Sequence, residues 1–289
     1  MHYKMVGMMN QHLSISLDKN NVSSTNNSAI FGEILEGNFS SPQFDYLINL
    51  GSNRLSDTKS IKTYNESNLA AQINNFKELE EITDDVIFLE KKPIKIKTKL
   101  VDALEKRHST RQYSNIIKMD INELSTLLLY SYGVAKRKEN YFGVEVTTRY
   151  HGSGGGLYPV DVYLLINNVT GINPGIYKYQ PISHSLKPVS DDFDIEKLYP
   201  YGNFDLENYA FCALYEYDVN RNYVKYGELS LMVTFIEAGL MAQNLDLVAE
   251  SMGFSTCQAA GYNKKYADKI LGIDGINSHV IYSHLCGKE

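Results

Sequence analysis

Apolar positions recur along this chain with two different periods, and the switches between them predict its elements. Leu100, Ala103 and Leu104 mark a short helix over Lys99–Lys106, with those three side chains facing inward. Asp120 and Glu123 form a capping-box pattern ahead of a stripe of Ile121, Leu124, Leu127, Leu128 and Tyr132, which Gly133 ends. Alternation then takes over: Val160, Val162, Leu164 and Ile166 put one face of a strand inward, and Ile176–Tyr179 and Tyr209–Tyr217 also read as strands. Leu229–Met252 is the longest helical stretch, carries few charges and closes at Gly253, so it is expected to be central and buried on most sides. A short helix over Lys264–Leu271 and a strand over Ser278–Leu285 complete the pattern.

Upstream the patterning is poorer. Eight of the nine residues from Asn20 to Ser28 are Asn, Ser or Thr, too little apolar surface to pack. Leu69, Ile73 and Phe76 have helical spacing, an acidic stretch runs from Glu78 to Asp85, and Val86–Ile96 reads as a strand interrupted by Pro93. Residues 1–95 are therefore read as an N-terminal extension and residues 96–289 as the main folded domain. Mixed elements without strict βαβ alternation predict an α+β fold.

The 289 residues are 43% hydrophobic and 21% charged, enough to bury a core, with a formal net charge of −6 that gives no electrostatic reason to bind nucleic acid. No apolar run approaches the roughly 18 residues that span a bilayer, and the first residues lack a secretory signal pattern, so the cytoplasm is the expected compartment and no membrane partner is expected. The 3 cysteines are odd in number and far apart, against a disulfide framework. No His or Cys spacing suits a metal, and no Gly-x-Ser-x-Gly elbow is present.

Candidate chemistry lies in three places. Gly152–Pro159, GSGGGLYP, is neither a phosphate P-loop nor a dinucleotide fingerprint. It fits a plain loop entering a strand, or a bare backbone that approaches a flat ligand closely. Arg107-His108-Ser109-Thr110-Arg111 spaces two guanidiniums around a hydroxyl, which suits a phosphate or a solvated basic helix end. Lys225-Tyr226 is a surface pair or a proton-transfer pair in which the ammonium lowers the phenol's pKa. His151, beside the Gly loop, is a ligand contact or a turn residue.

Taken in order, these motifs resemble the FMN-dependent nitroreductase superfamily and, within it, the SagB-type dehydrogenases, which include azoline oxidases. Arg107-His108-Ser109-x-Arg111 is similar to the element that holds the FMN phosphate and ribityl chain. GSGGGLYP is similar to Pro-Ser-x-Gly-Gly-Leu-Tyr-Pro, Gly175–Tyr179 to Gly-Leu-Tyr-His-Tyr, and Glu237–Leu245 to Glu-Ala-Gly-x-x-x-Gln-Asn-Leu. Of three Lys-Tyr pairs, only Lys225-Tyr226-Gly227 has the register of the family's catalytic pair. Gly152 replaces a usual Pro, Met232 a frequent Arg and Leu240 a common His.

The resemblance covers about residues 95–289. It implies a central, mostly antiparallel sheet flanked by helices, and a homodimer with FMN at its interface. Arg107, Ser109 and Arg111 would hold the phosphate; Ser153, Gly154 and Gly155 would lie against the isoalloxazine; Gly261 and Lys288 would be further cofactor contacts. Lys225 and Tyr226 would be catalytic, in oxidation of peptide thiazolines or oxazolines to thiazoles or oxazoles. The implied partners are a ribosomal precursor peptide and a cyclodehydratase complex. One alternative is a dehydroalanine reductase of a lanthionine synthetase pathway, and another is a non-catalytic accessory protein. The extension is assigned to peptide or partner recognition, or to covering the catalytic domain or the dimer interface.

Overall fold

Seven strands form one antiparallel sheet in the order β1-β8-β7-β5-β9-β11-β10. These strands are β1 (Ile87–Phe88), β5 (Val160–Ile166), β7 (Gly175–Gln180), β8 (Ser185–Ser190), β9 (Phe211–Asp218), β10 (Ser255–Ala259) and β11 (Ser278–Gly287). The structure, a computed structural model, describes residues 46, 80–114, 118–141, 144–201 and 204–289. All but Tyr46 lie within one compact unit, residues 55–289. The Asn/Ser tract and the Leu69–Phe76 helix reading fall outside the described residues.

The sheet has a core on each face. On one, Val160, Val162, Leu164 and Ile166 pack with Leu124, Leu127 and Leu128 of helix α2 (Ile121–Tyr132), following the predicted alternation. Helix α5 (Leu229–Ser251) lies on the same face through Met241, Ala242 and Leu245. On the other face, Tyr163, Leu165 and Ile176 pack with Leu198 of α3 (Ile195–Leu198) and with Ala267 and Leu271 of α6 (Lys264–Leu271). Asp120 caps α2 as expected: its Oδ1 accepts from the Asn122 and Glu123 N–H groups at 2.7 and 2.9 Å, while Glu123 Oε2 accepts from Asp120 N–H at 2.8 Å.

Three readings change. In helix α1 (Leu100–Lys106) only Ala103 is buried; Leu100 and Leu104 are exposed, because the helix packs on α5 through its small residue. Helix α5 buries one side only and leaves Phe235, Ile236 and Leu240 about half exposed, at 51%, 55% and 45%. Its length and composition would suit a membrane span, yet its Glu237 and Asp246 are buried inside this fold. The Val86–Ile96 stretch is strand only at Ile87–Phe88, which pair with Leu186 and Ser185, while Leu89 enters the core. The remaining elements are two short strands, β2 (Met119–Asp120) and β6 (Val169–Thr170), a hairpin of β3 (Val134–Tyr141) and β4 (Val144–Arg149), and the four-residue α4 (Tyr223–Tyr226). Cys212, Cys257 and Cys286 are free and buried.

Candidate functional site

The Gly loop and the Lys225-Tyr226 pair meet. Gly154–Gly156 form a single tight turn, and Gly155 and Gly156 have φ of 62° and 66°, where a side chain is strained. A Cβ on Gly155 would overlap the Lys225 ammonium and lie 2.7 Å from the Tyr226 hydroxyl; one on Gly154 would collide with Val233 and come 3.7 Å from the Tyr226 ring. The bare backbone is what lets α4 close onto the loop. Within the pair, Lys225 Nζ sits 4.7 Å from the Tyr226 ring centroid. Burial pulls the Lys225 ammonium down to about 8, so it keeps its charge at neutral pH and loses it within the mildly alkaline range.

Ser153 anchors the other side of the loop. Its hydroxyl donates to Glu237 Oε2 and accepts from the Tyr158 N–H at 2.9 Å. Glu237 is 1% exposed, and its Oε1 stands 3.8 Å from Nε2 of buried His151; neither atom has a hydrogen-bond partner among the described residues. Burial lowers the His151 pKa, outweighing the nearby Glu237 carboxylate. Glu237 thus joins the residues first assigned to the site, and His151, read from sequence as a ligand contact or a turn residue, is buried beside it. A lone carboxylate in the apolar stretch of α5 was the available signal for Glu237.

The basic segment lies along the edge strand β10. Arg107 follows α1, its N–H bonding Ala103 O at 2.9 Å. Ser109 bridges Thr256 of β10, and the Thr110 N–H donates to Thr256 O at 2.9 Å. Lys288 arrives at the same end of β10, because Ser255 pairs with Gly287 and Lys288 O accepts from the Ser114 N–H at 2.6 Å. Ser109 and Arg111 are exposed, and neither guanidinium pairs with a carboxylate among the described residues. The Glu289 carboxylate also sits here, 3.4 Å from His108 Nε2. Two guanidiniums, an ammonium and a hydroxyl along one strand end suit a phosphate. Gly261 is not brought to this group: it lies past the far end of β10, exposed, with open space where its Cβ would be.

The sequence profile of the Nitroreductase family matches residues 104–288. The chain belongs to the nitroreductase family. A nitroreductase-family protein of Methanocaldococcus jannaschii is 28% identical over 188 residues, 61% of this chain and 85% of the relative. The microcin B17-processing protein McbC of Escherichia coli is 31% identical over 134 residues, 44% of this chain and 49% of McbC, so the match spans about half of that protein. Among solved structures, a nitroreductase-family protein of Ralstonia eutropha superposes with a TM-score of 0.59 at 20% identity, covering 72% of this chain and 91% of that one. The E. coli microcin synthetase McbBCD complex with truncated pro-MccB17 bound contains a chain at TM-score 0.53 and 21% identity, with 76% and 81% covered. These structures confirm the α+β nitroreductase fold, and the McbC match agrees with the SagB-type motifs. Nitroreductases are FMN enzymes, and the strip of donors beside β10 together with the side-chain-free Gly154–Gly155 backbone fits that group.

Proposed function

We propose that this chain is an FMN-dependent oxidoreductase that oxidises thiazoline or oxazoline rings of a ribosomal precursor peptide to thiazoles or oxazoles. The meeting of Gly155 with the Lys225 ammonium and the Tyr226 hydroxyl carries the reading, supported by the similarity to McbC. Arg107, Ser109, Arg111 and Lys288 would hold the FMN phosphate end, and Ser153, Gly154 and Gly155 the ring. Bound FMN supplies the acceptor for the hydride.

The chain's own residues orient the peptide ring and move its proton. Tyr226 removes the proton from the ring carbon next to the peptide carbonyl and the C=N bond. The electron pair of that C–H bond becomes the new ring double bond as the neighbouring carbon gives up its hydride. Lys225, charged at neutral pH, favours the ionised Tyr226 that this step requires. A cyclodehydratase complex that makes the azolines is the matching partner. The half-exposed Phe235, Ile236 and Leu240 of α5 offer an apolar face for a second copy, so the working unit is a homodimer, which sedimentation velocity tests. Residues 1–95 are assigned to holding the peptide or its modifying complex.

One observation favours the rival reaction, reduction of dehydroalanine in a lanthionine synthetase pathway. Leu240, which replaces a common family His, lies against the Gly loop, 3.5 Å from where a Gly152 Cβ would be, and makes that end of the site apolar. Purified protein incubated with an azoline-bearing peptide should remove two hydrogens per ring, read by mass spectrometry. Tyr226→Phe and Lys225→Ala should keep FMN and lose turnover. Protein that takes up no FMN overturns the reading, and addition of two hydrogens to a dehydroalanine peptide selects the rival.

A further inference from the structure

A second polar site lies on the far side of Tyr158 from Ser153. Arg149, Asp161, Lys178 and Arg221 line a cavity of about 130 Å³, with Glu80, Glu81 and Lys187 at its rim. Asp161 is already doubly engaged. Arg221 forks onto it, Nη1 to Oδ1 at 2.7 Å and Nη2 to Oδ2 at 2.8 Å, and Lys178 Nζ reaches Oδ2 at 2.7 Å. Burial alone would raise the Asp161 pKa, but the charges of Arg221 and Lys178 hold it well below the usual carboxylate range. The rim acids are spent as well. Glu80 accepts from the Ile182 and Ser183 N–H groups at 2.6 and 2.7 Å, and Glu81 pairs with Lys187.

That leaves four cations facing three carboxylates, and the unmatched one is Arg149. Its guanidinium carbon rests 4.7 Å from the Tyr158 ring centroid, and no carboxylate among the described residues pairs with it. A half-buried guanidinium without an anion is costly, and a planar carboxylate matches its fork of donors. Drug-sized ligands occupy pockets of about 300 Å³ or more, so this cavity suits one side chain or a small acid and excludes a nucleotide.

We propose that the Arg149 cavity is a carboxylate subsite, taking an acidic side chain of the peptide that is modified at the Gly loop. The source of the carboxylate rests on the peptide-substrate reading; the anion site itself does not. The rim shows how such a chain sits, since Glu80 and Glu81 already lie along it through backbone N–H and lysine contacts. Occupancy would also reach the catalytic loop. Tyr158 Oη accepts from the Arg149 N–H at 2.9 Å, and the Tyr158 N–H donates to Ser153 at 2.9 Å. Tyr158 is held at a φ of 49°, a strained position that follows its neighbours.

Calorimetric titration of the purified full chain tests this with acetyl-Gly-Glu-Gly-amide, its Gln twin, and sodium succinate at matched ionic strength. The Glu peptide should bind about ten-fold or more tightly than the Gln peptide, and Arg149→Met should remove that difference. Arg149→Lys, which keeps the charge and loses the fork, should restore part of it. Equal binding of the Glu and Gln peptides by the unaltered chain, which needs no variant to fold, overturns the proposal. So does a Glu preference that survives in a folded Arg149→Met protein. Succinate that binds as well as the Glu peptide overturns the peptide as source and assigns the site to a free acid. Arg111→Met should weaken FMN uptake and leave the Glu preference intact, so failure of the flavin reading and failure of this one are told apart.

Discussion

His284 Nε2 lies 2.9 Å from Asp246 Oδ1, with both side chains buried between β11 and α5. Thr256 donates to the same carboxylate, Gln258 Nε2 reaches its other oxygen at 2.6 Å, and His284 Nδ1 stands 3.3 Å from the Tyr215 hydroxyl. Thr256 is also the residue on which Ser109 and Thr110 are laid out. A buried pair thus stands directly behind the segment assigned to the FMN phosphate.

Asp246→Ala should therefore destabilise the fold by about 3–5 kcal/mol, the range for leaving one partner of a buried pair alone, as read from urea unfolding. Burial raises the Asp246 pKa, but the bonds from His284, Thr256 and Gln258 outweigh it and the net shift is downward. A depressed carboxylate stabilises the fold above its unfolded pKa near 4, and that stability drains away as pH falls through the folded value. Asp246→Asn should flatten this acid limb and loosen FMN. An unchanged limb would remove Asp246 from the explanation of acid unfolding.

A second pH effect belongs to His184, in the β7–β8 turn. Its Nδ1 is 2.8 Å from the Tyr179 hydroxyl and its Nε2 is 2.9 Å from Ser125 Oγ. Burial, helped by the charge of Lys91, pushes its pKa down to about 4. The unfolded chain takes up this proton near pH 6.5 and the folded chain only near 4, so stability should fall as pH drops between them. The loss is about 3 kcal/mol at most. Denaturant titrations at several pH values should show a steeper slope in the unaltered chain than in His184→Gln, in which the buried His151 still contributes over this range.

Gly155→Ala should be far more damaging than a methyl group suggests. The residue needs a positive φ, and its side chain would overlap the Lys225 ammonium. A strain of about 1–3 kcal/mol is expected, together with displacement of Lys225-Tyr226 from the loop. Gly261→Ala, with open space at its Cβ position, is the control and should leave stability within about 0.5 kcal/mol. Similar losses in the two variants would mean that the Gly155 contact does not shape the site.

Much of this was legible in the chain itself, for reasons that particular residues show. The Asp120–Glu123 box and the Val160–Ile166 alternation are local signals, and both appear as read. The β3–β4 hairpin was not legible, because Lys136, Arg137, Lys138, Glu139 and Asn140 give no alternation to detect. Leu100 and Leu104 look like core residues by periodicity, but which face of a short helix is buried depends on its neighbour, here α5. Ser153 was assigned from its loop, whereas its bond to Glu237 and the closeness of His151 arise only when α5 packs on that loop. Arg149 drew no notice, since its unmatched charge exists only once Asp161 has been claimed by Arg221 and Lys178.

The pH dependence of turnover tests the role given to Lys225. Its burial places the loss of the ammonium proton near pH 8, whereas an exposed lysine would keep it for about two units more. If the charged form is what sustains an ionised Tyr226, turnover should decline above about pH 8, approaching ten-fold per unit. Lys225→Arg keeps its charge throughout this range, so its alkaline limb should vanish even if its rate is lower. Lys225→Met should be slow and flat across the same range, because it has no proton to lose. FMN content, followed by absorbance in every sample, separates a change of rate from loss of cofactor. An alkaline limb that persists unchanged in Lys225→Arg would assign it to another group and leave Lys225 a purely structural neighbour of Gly155.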